Sequence, residues 1–154
     1  MGYLNNPRAT AEAFDKEGFL RTGDEGSIDG EGLITIHDRI KEMIKVKGIQ
    51  VAPAELEDLL LGHQKVEDCA VIGVPDEYSG ERPLGFVVLK PGIKYTVEVE
   101  EELLNYVKDK KIRTKWLVGV RIVDQIPKSA SGKILRRILR DRFRDQATGM
   151  KAKL

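Results

Sequence analysis

Between Glu67 and Phe143 the hydrophobic period switches back and forth between strand and helix spacing, which confines the chain to a small fold of interleaved elements. Glu67 to Val74 reads as a buried strand, and Leu84 to Lys90 as a second one stopped by Pro91-Gly92. Thr96 offers a hydroxyl as N-cap for a helix from Val97 to about Lys110, with Val99, Leu103, Leu104 and Val107 on one face. A third strand is expected from Leu117 to Val123. After a polar loop, Pro127 to Gly132, a last helix carries Ile134, Leu135, Ile138, Leu139 and Phe143 on one side. Arg136, Arg137, Arg140, Arg142 and Arg144 occupy the rest of it. Strands and helices therefore alternate around one small core of about 100 residues, an α+β fold whose mixed sheet has about three strands.

The stretch ahead of this core is different in kind. Through about His37 it is poor in apolar residues and rich in turns, and Asp29-Gly30 precedes the alternating Leu33-Ile34-Thr35-Ile36, which predicts a hairpin of short strands. Ile44 to Lys47 alternates again and ends at Gly48. Pro53 opens a helix at a position where a missing N–H costs nothing, and Glu55 and Glu57 suit its positive end. Leu56, Leu59 and Leu60 form its apolar face. From Gln146 onward a flexible tail is expected.

Composition narrows the function classes. With 154 residues, 41% hydrophobic and 33% charged, the chain suits one globular domain, or a small domain with a piece of another attached. No apolar run nears the roughly 20 residues of a membrane span, and MGYLNNPRAT shows no basic-then-apolar leader pattern. Asn6 stands where a myristoylation signal needs Ser or Thr. Cys69 is the single cysteine, so neither an internal disulfide nor a cysteine-built zinc site can form. Within CAVIGV it reads as a buried structural residue, which fits a reducing compartment. The net charge of +1 conceals opposite ends: residues 1–100 carry 11 basic and 19 acidic side chains, residues 101–154 carry 15 and 6. A basic last third fits phosphate ligands, nucleic acid or an acidic partner, and equally a solvated helix face.

Chemistry has few places to sit. The loop from Pro127 to Lys133, PKSASGK, ends in Gly-Lys before a helix, but Pro127 and Ile134 stand where a phosphate-cradling P-loop needs Gly and Ser or Thr. What remains is an adaptable loop of small residues presenting Lys133, a charge that could meet a carboxylate or phosphate, or a plain surface turn. The cluster Asp38 to Gly48 is either functional or one solvated strand face, and Asp24 either a ligand or a turn acid. His37 and His63 have no spacing that suggests zinc or a catalytic triad, so no metal ligand is assigned, and His63 reads as a helix-end residue.

Taken together, RTGD at 21–24, DRIKEMIKVKGIQVAPAELE at 38–57 and PKSASGKILRR at 127–137 resemble, in order and spacing, three signature motifs of the adenylate-forming superfamily of acyl-CoA synthetases, firefly luciferase and peptide-synthetase adenylation domains. KVKGIQVAPAELE, with DEYSGERP at 76–83, is most similar to the 4-coumarate–CoA ligase and luciferase branch. The resemblance implies that residues 1–40 are the end of a large adenylating domain plus the approach to a hinge, 41–146 a mobile C-terminal lid, and 147–154 a tail. It implies that Met1 falls inside the family's polypeptide, that the large N-terminal domain with the acyl pocket is a missing partner, and that the chain alone is inactive.

The same resemblance implies roles for single residues. Asp24 and Arg39 would bind the ATP ribose, and Lys41 would be the hinge. Lys133 would bridge the substrate carboxylate and the α-phosphate during adenylation. A turn about Lys41 would then bring the strand with Lys45 to the reaction centre, with Gly48 and Gln50 along the passage of CoA's pantetheine arm. ATP with Mg2+, CoA and a carboxylic acid would be substrates of the complete enzyme, none held tightly by this chain. Ala152-Lys153-Leu154 resembles the Ser-Lys-Leu peroxisomal address, so a peroxisomal location is expected if Leu154 is the natural C-terminus and a cytoplasmic one otherwise. Two other readings stay open: an adenylating enzyme with a different second step, as in luciferases, and a non-catalytic complementing or binding module. The nucleic-acid version of the latter is disfavoured because stacking residues are few, Trp116 being the only Trp.

Overall fold

The structure, a computed structural model, describes residues 2–151, with side chains described through Arg144. The expected address Ala152-Lys153-Leu154 lies outside the described residues. The chain divides into two compact units, Met1–Lys41 and Glu42–Leu154.

The first unit opens with a short helix that the hydrophobic pattern did not announce, α1 (Pro7–Ala13), because its signal is local: the Asn6 side chain accepts from the Ala9 N–H and Pro7 sits in the first turn. The expected hairpin follows as β1 (Asp24–Ile28) and β2 (Ile34–Arg39), antiparallel, with Ile28 opposite Ile34 and Asp24 opposite Arg39. Its turn is organised by Asp29, whose Oδ1 accepts from the Glu31 and Leu33 N–H groups. A bulge falls between Glu25 and Gly26, where a side chain on Gly26 would lie 2.6 Å from the Thr35 carbonyl oxygen.

The second unit holds the core. The short alternation at Ile44 is a hairpin, β3 (Ile44–Val46) and β4 (Ile49–Val51), where a single strand was expected. Helix α2 (Pro53–Leu61) follows, then the long antiparallel pair β5 (Val66–Asp76) and β6 (Gly80–Leu89). Helix α3 (Val97–Lys110) is capped by Thr96, and β7 (Val120–Ile122) lies parallel to β6. Helix α4 (Arg136–Lys151) completes the unit, running past Gln146. The mixed sheet thus has five strands rather than about three, in the order β4-β3-β6-β5 with β7 also on β6.

Both faces of this sheet are covered, so there are two cores where one was expected. Val71, Cys69 and Val87 face Leu56 and Leu60 of α2 and Leu103 and Val107 of α3. Ala70, Ile72, Val74, Leu84 and Phe86 face the other way, onto Leu139 of α4 and Ile126. Neighbouring residues of β5 point to opposite faces, and both faces are dry, which is why CAVIGV is apolar at every position. Burying each of Leu56, Leu60, Leu103 and Leu139 completely contributes about 2–3 kcal/mol. Leu135 and Ile138 are corrections: both are more than a third exposed, leaving Leu139 as the anchor of α4, supported by the partly buried Ile134 and Phe143.

Candidate functional site

In the first unit Asp24 and Arg39 face each other across the hairpin because they are paired in register. Arg39 Nε stands 3.6 Å from Asp24 Oδ1, too far for a hydrogen bond, so the half-buried carboxylate can still accept from a ligand. Lys41 is the exposed last residue of that unit.

In the second unit, β3 and β4 separate structural from chemical side chains by simple alternation. Ile44, Val46 and Val51 point into the core, while Lys45 and Gln50, directly opposite each other in register, are exposed together. The connecting turn uses Lys47 at φ 51° and Gly48 at φ 79°. A Cβ on Gly48 would meet nothing within 4 Å, so the backbone angle, not crowding, is what requires glycine there. The turn leans on the segment Asp76–Glu81: the Lys47 N–H donates to the Ser79 carbonyl, the Lys45 N–H donates to Glu81 Oε2 at 2.9 Å, and the Lys47 ammonium lies 3.9 Å from the centre of the Tyr78 ring. Asp76 braces that segment by accepting from the Ser79 and Tyr78 N–H groups, and the Ser79 bond chiefly holds its carboxyl below the usual range.

Lys133 is exposed on a loop far more closed than its small residues suggest. The Leu135 N–H donates to the Pro127 carbonyl, the Ser129 N–H to the Lys133 carbonyl, and the Gly132 N–H to the Ser129 carbonyl. Lys128 and Ile134 form a bridge across it, and the Ser129 hydroxyl accepts from the Lys133 N–H. Lys128 pairs with Asp68 of β5 at one end, and Arg136 with Glu57 of α2 at the other. One turn further along α4, Arg140 pairs with Glu42, the residue after Lys41. Lys45 therefore stands on β3 and Lys133 on a loop tied to β5, the strands on either side of β6.

Sequence reasoning missed the residues that hold these groups. Glu57 was assigned to the positive end of α2; instead it is buried, with Oε1 accepting from the Val71 N–H and Oε2 from Arg136. Glu55 does sit in the first turn, paired with Lys111 and Lys115; burial pushes its carboxyl up, and the two ammoniums outweigh that and leave it below the usual range. His63 is buried beyond the end of α2, its Nδ1 accepting from the Lys65 N–H and its Nε2 3.3 Å from Glu102. A cavity of about 430 Å³ also opens beside the β3–β4 turn, lined by Lys47, Arg82, Arg113, Tyr78 and Trp116 among others. Only DEYSGERP could have pointed to it, because Tyr78, Ser79, Glu81 and Arg82 lie in that segment. Among the described residues no group of three or more His, Cys, Asp or Glu converges on a metal position.

A closed loop presenting one lysine and a tight hairpin presenting another beside a glutamine are carried by one three-layer unit. The chain belongs to the family of the AMP-binding enzyme C-terminal domain, whose model matches residues 55–133, just over half of it. More particularly, it is 54% identical over 143 residues to the 4-coumarate–CoA ligase-like 9 protein of Oryza sativa subsp. japonica. That match takes in 93% of this chain and 25% of the rice protein. Among solved structures it is similar to the ATP-bound RpMatB-BxBclM chimera B1, with a TM-score of 0.87, 35% identity and coverage of 94% and 28% of the two chains. The amide bond synthetase McbA from Marinactinospora thermotolerans follows, with a TM-score of 0.81, 33% identity and coverage of 92% and 28%. The chain thus spans about a quarter of the length of the rice relative and of the chimera.

Proposed function

We propose that this chain is the lid of an ATP-dependent acid–CoA ligase, working with a large adenylating domain. The observation that carries the reading is that one unit presents two exposed lysines on separate elements, Lys45 on β3 and Lys133 on a loop tied to β5, the strands on either side of β6, so that a rotation of the unit could bring each in turn to one reaction centre. In the first step a substrate carboxylate oxygen attacks the α-phosphorus of ATP, the bond to pyrophosphate breaks, and acyl-adenylate forms. The Lys133 ammonium stabilises the charge that gathers on the carboxylate and phosphate oxygens. Asp24 accepts from the ribose hydroxyls and Arg39 adds a donor. Mg2+ arrives with ATP and neutralises its phosphates; no residue of this chain is assigned to it.

Rotation about Lys41 then withdraws Lys133 and brings in Lys45 and Gln50. The CoA sulfur attacks the acyl carbonyl, AMP leaves with the electron pair of the broken C–O bond, and the thiol proton passes to solvent. Gly48 leaves room for the pantetheine arm, and the cavity lined by Lys47, Arg82 and Arg113 has the charge and aromatic surface to take the nucleotide end of CoA.

A second reading keeps the first step and replaces the thiol by another nucleophile; the likeness to an amide bond synthetase favours it, and the higher identity with the CoA-ligase-like relative favours the thiol. The test is ATP–pyrophosphate exchange with fatty and cinnamic acids, using the chain alone and combined with the large domain of a 4-coumarate–CoA ligase. Exchange is expected only in the combination, followed by a thioester when CoA is added. Lys133→Ala is expected to lose on the order of 10²-fold in exchange. Exchange by the chain alone, or an unaffected Lys133→Ala, would overturn the reading.

A further inference from the structure

We infer that Glu57, acting through its buried ion pair with Arg136, is the positioning residue for Lys133. The inference rests on the adenylation role proposed for that lysine, and what it adds is the group that aims it.

Glu57 has both carboxylate oxygens committed. Oε1 accepts from the Val71 N–H of β5 at 2.8 Å, and Oε2 accepts from Arg136 at 2.7 Å. The two side chains are only 9% and 13% exposed. The carboxylate is therefore fixed to the middle of strand β5, and Arg136, the first residue of α4 and three residues after Lys133, is fixed to the carboxylate. The Arg136 Nε–H has no acceptor among the described residues, so the direction of the guanidinium depends on its terminal nitrogen and on Glu57. The other end of the loop has a weaker hold. Lys128 and Asp68 are 39% and 30% exposed, and such pairs contribute little.

An ion pair at this depth is not the economical way to fill the space. Well-packed apolar side chains serve as well or better for stability, whereas removing one charge strands the other. What the pair supplies instead is a fixed direction: it ties a loop already closed by its own hydrogen bonds to a buried position on α2 and β5. A lysine that must meet a transition state needs that, since a displacement of about 1 Å can cost on the order of 10²-fold in rate.

The variant that separates position from packing is Glu57→Gln. The amide keeps the side-chain shape and an oxygen for the Val71 N–H, but it cannot neutralise Arg136. In the 154-residue chain, the amides of Ser129, Lys133 and Leu135 are expected to exchange with deuterium on the order of 10-fold faster relative to those of β6. With the chain spliced in place of the matching quarter of a 4-coumarate–CoA ligase, pyrophosphate exchange is expected to lose on the order of 10-fold or more in kcat, with KM for ATP changed by less than about twofold. Thioester formation from supplied acyl-adenylate should be preserved. Arg136→Lys, which keeps the charge, should retain more exchange activity than Arg136→Met, and this pair serves if Glu57→Gln does not fold.

Unchanged loop amides would overturn the inference, and so would equal loss of both half-reactions, the mark of a merely structural residue. Normal exchange activity in Lys133→Ala would instead sink the adenylation reading and the catalytic half of this inference with it, while the amide rates still decide whether Glu57 holds the loop.

Discussion

At the scale of single residues, Cys69 shows how burial sets chemistry. Its side chain is 1% exposed and its thiol donates to the Glu57 carbonyl. Burial first, then the negative charges of Glu57 and Asp68, push the thiol up to about 12 from an ordinary 9.0. The folded chain thus holds this proton where the unfolded chain has lost it. Stability from this group is complete below about pH 9 and falls as pH rises towards 12, by about 1.4 kcal/mol per pH unit. Urea titrations between pH 8 and 11 should show that slope, and Cys69→Ala should flatten it; an equal slope in both proteins would put the alkaline loss elsewhere. Glu55 works in the opposite sense: its depressed carboxyl contributes above the unfolded value, near 4.5, and the contribution is lost as pH falls through the folded value.

At the scale of elements, the β3–β4 hairpin rests on the conformation of Gly48. Gly48→Ala should cost about 1–2 kcal/mol, the price of the left-handed backbone for a residue with a Cβ. Gly48→Asn should recover most of that, because Asn tolerates the conformation and open space surrounds the site. Asn worse than Ala in urea unfolding would mean that crowding is the reason after all. This hairpin also marks where the sequence stops being legible. Helices α2 and α3 were readable because Pro53 and Thr96 announce them locally, and β5 and β6 because apolar runs end at breakers. Strand β4 was not, because Lys-Gly is a poor version of the Asn-Gly signal that marks such turns. Asp24, Arg39, Lys45, Gln50 and Lys133 could be named only through the resemblance of three segments to known motifs; their own chemistry left a turn acid and a surface turn equally open. Their supports could not: a glutamate near the start of a helix looks the same in sequence whether it faces water or an arginine 79 residues away.

At the scale of the whole chain, the two units differ in what sustains them. Every described side chain in residues 2–41 is at least partly accessible, with Ile28, Ile34 and Ile36 more than 60% exposed, whereas the second unit has two dry cores. Trypsin is therefore expected to cut first at Arg39 or Lys41 and to leave a resistant fragment from Glu42 onward. A first cut within β5 or β6, identified by mass, would contradict this division. The ties of α4 have a consequence for how such a chain is made. Arg136 and Arg140 meet partners 79 and 98 residues nearer the N-terminus. On a ribosome adding about 5–20 residues per second, Glu57 waits roughly 4–16 s for its arginine to be synthesised. The ties of α4 to the earlier elements therefore form only after almost the whole second unit has been synthesised.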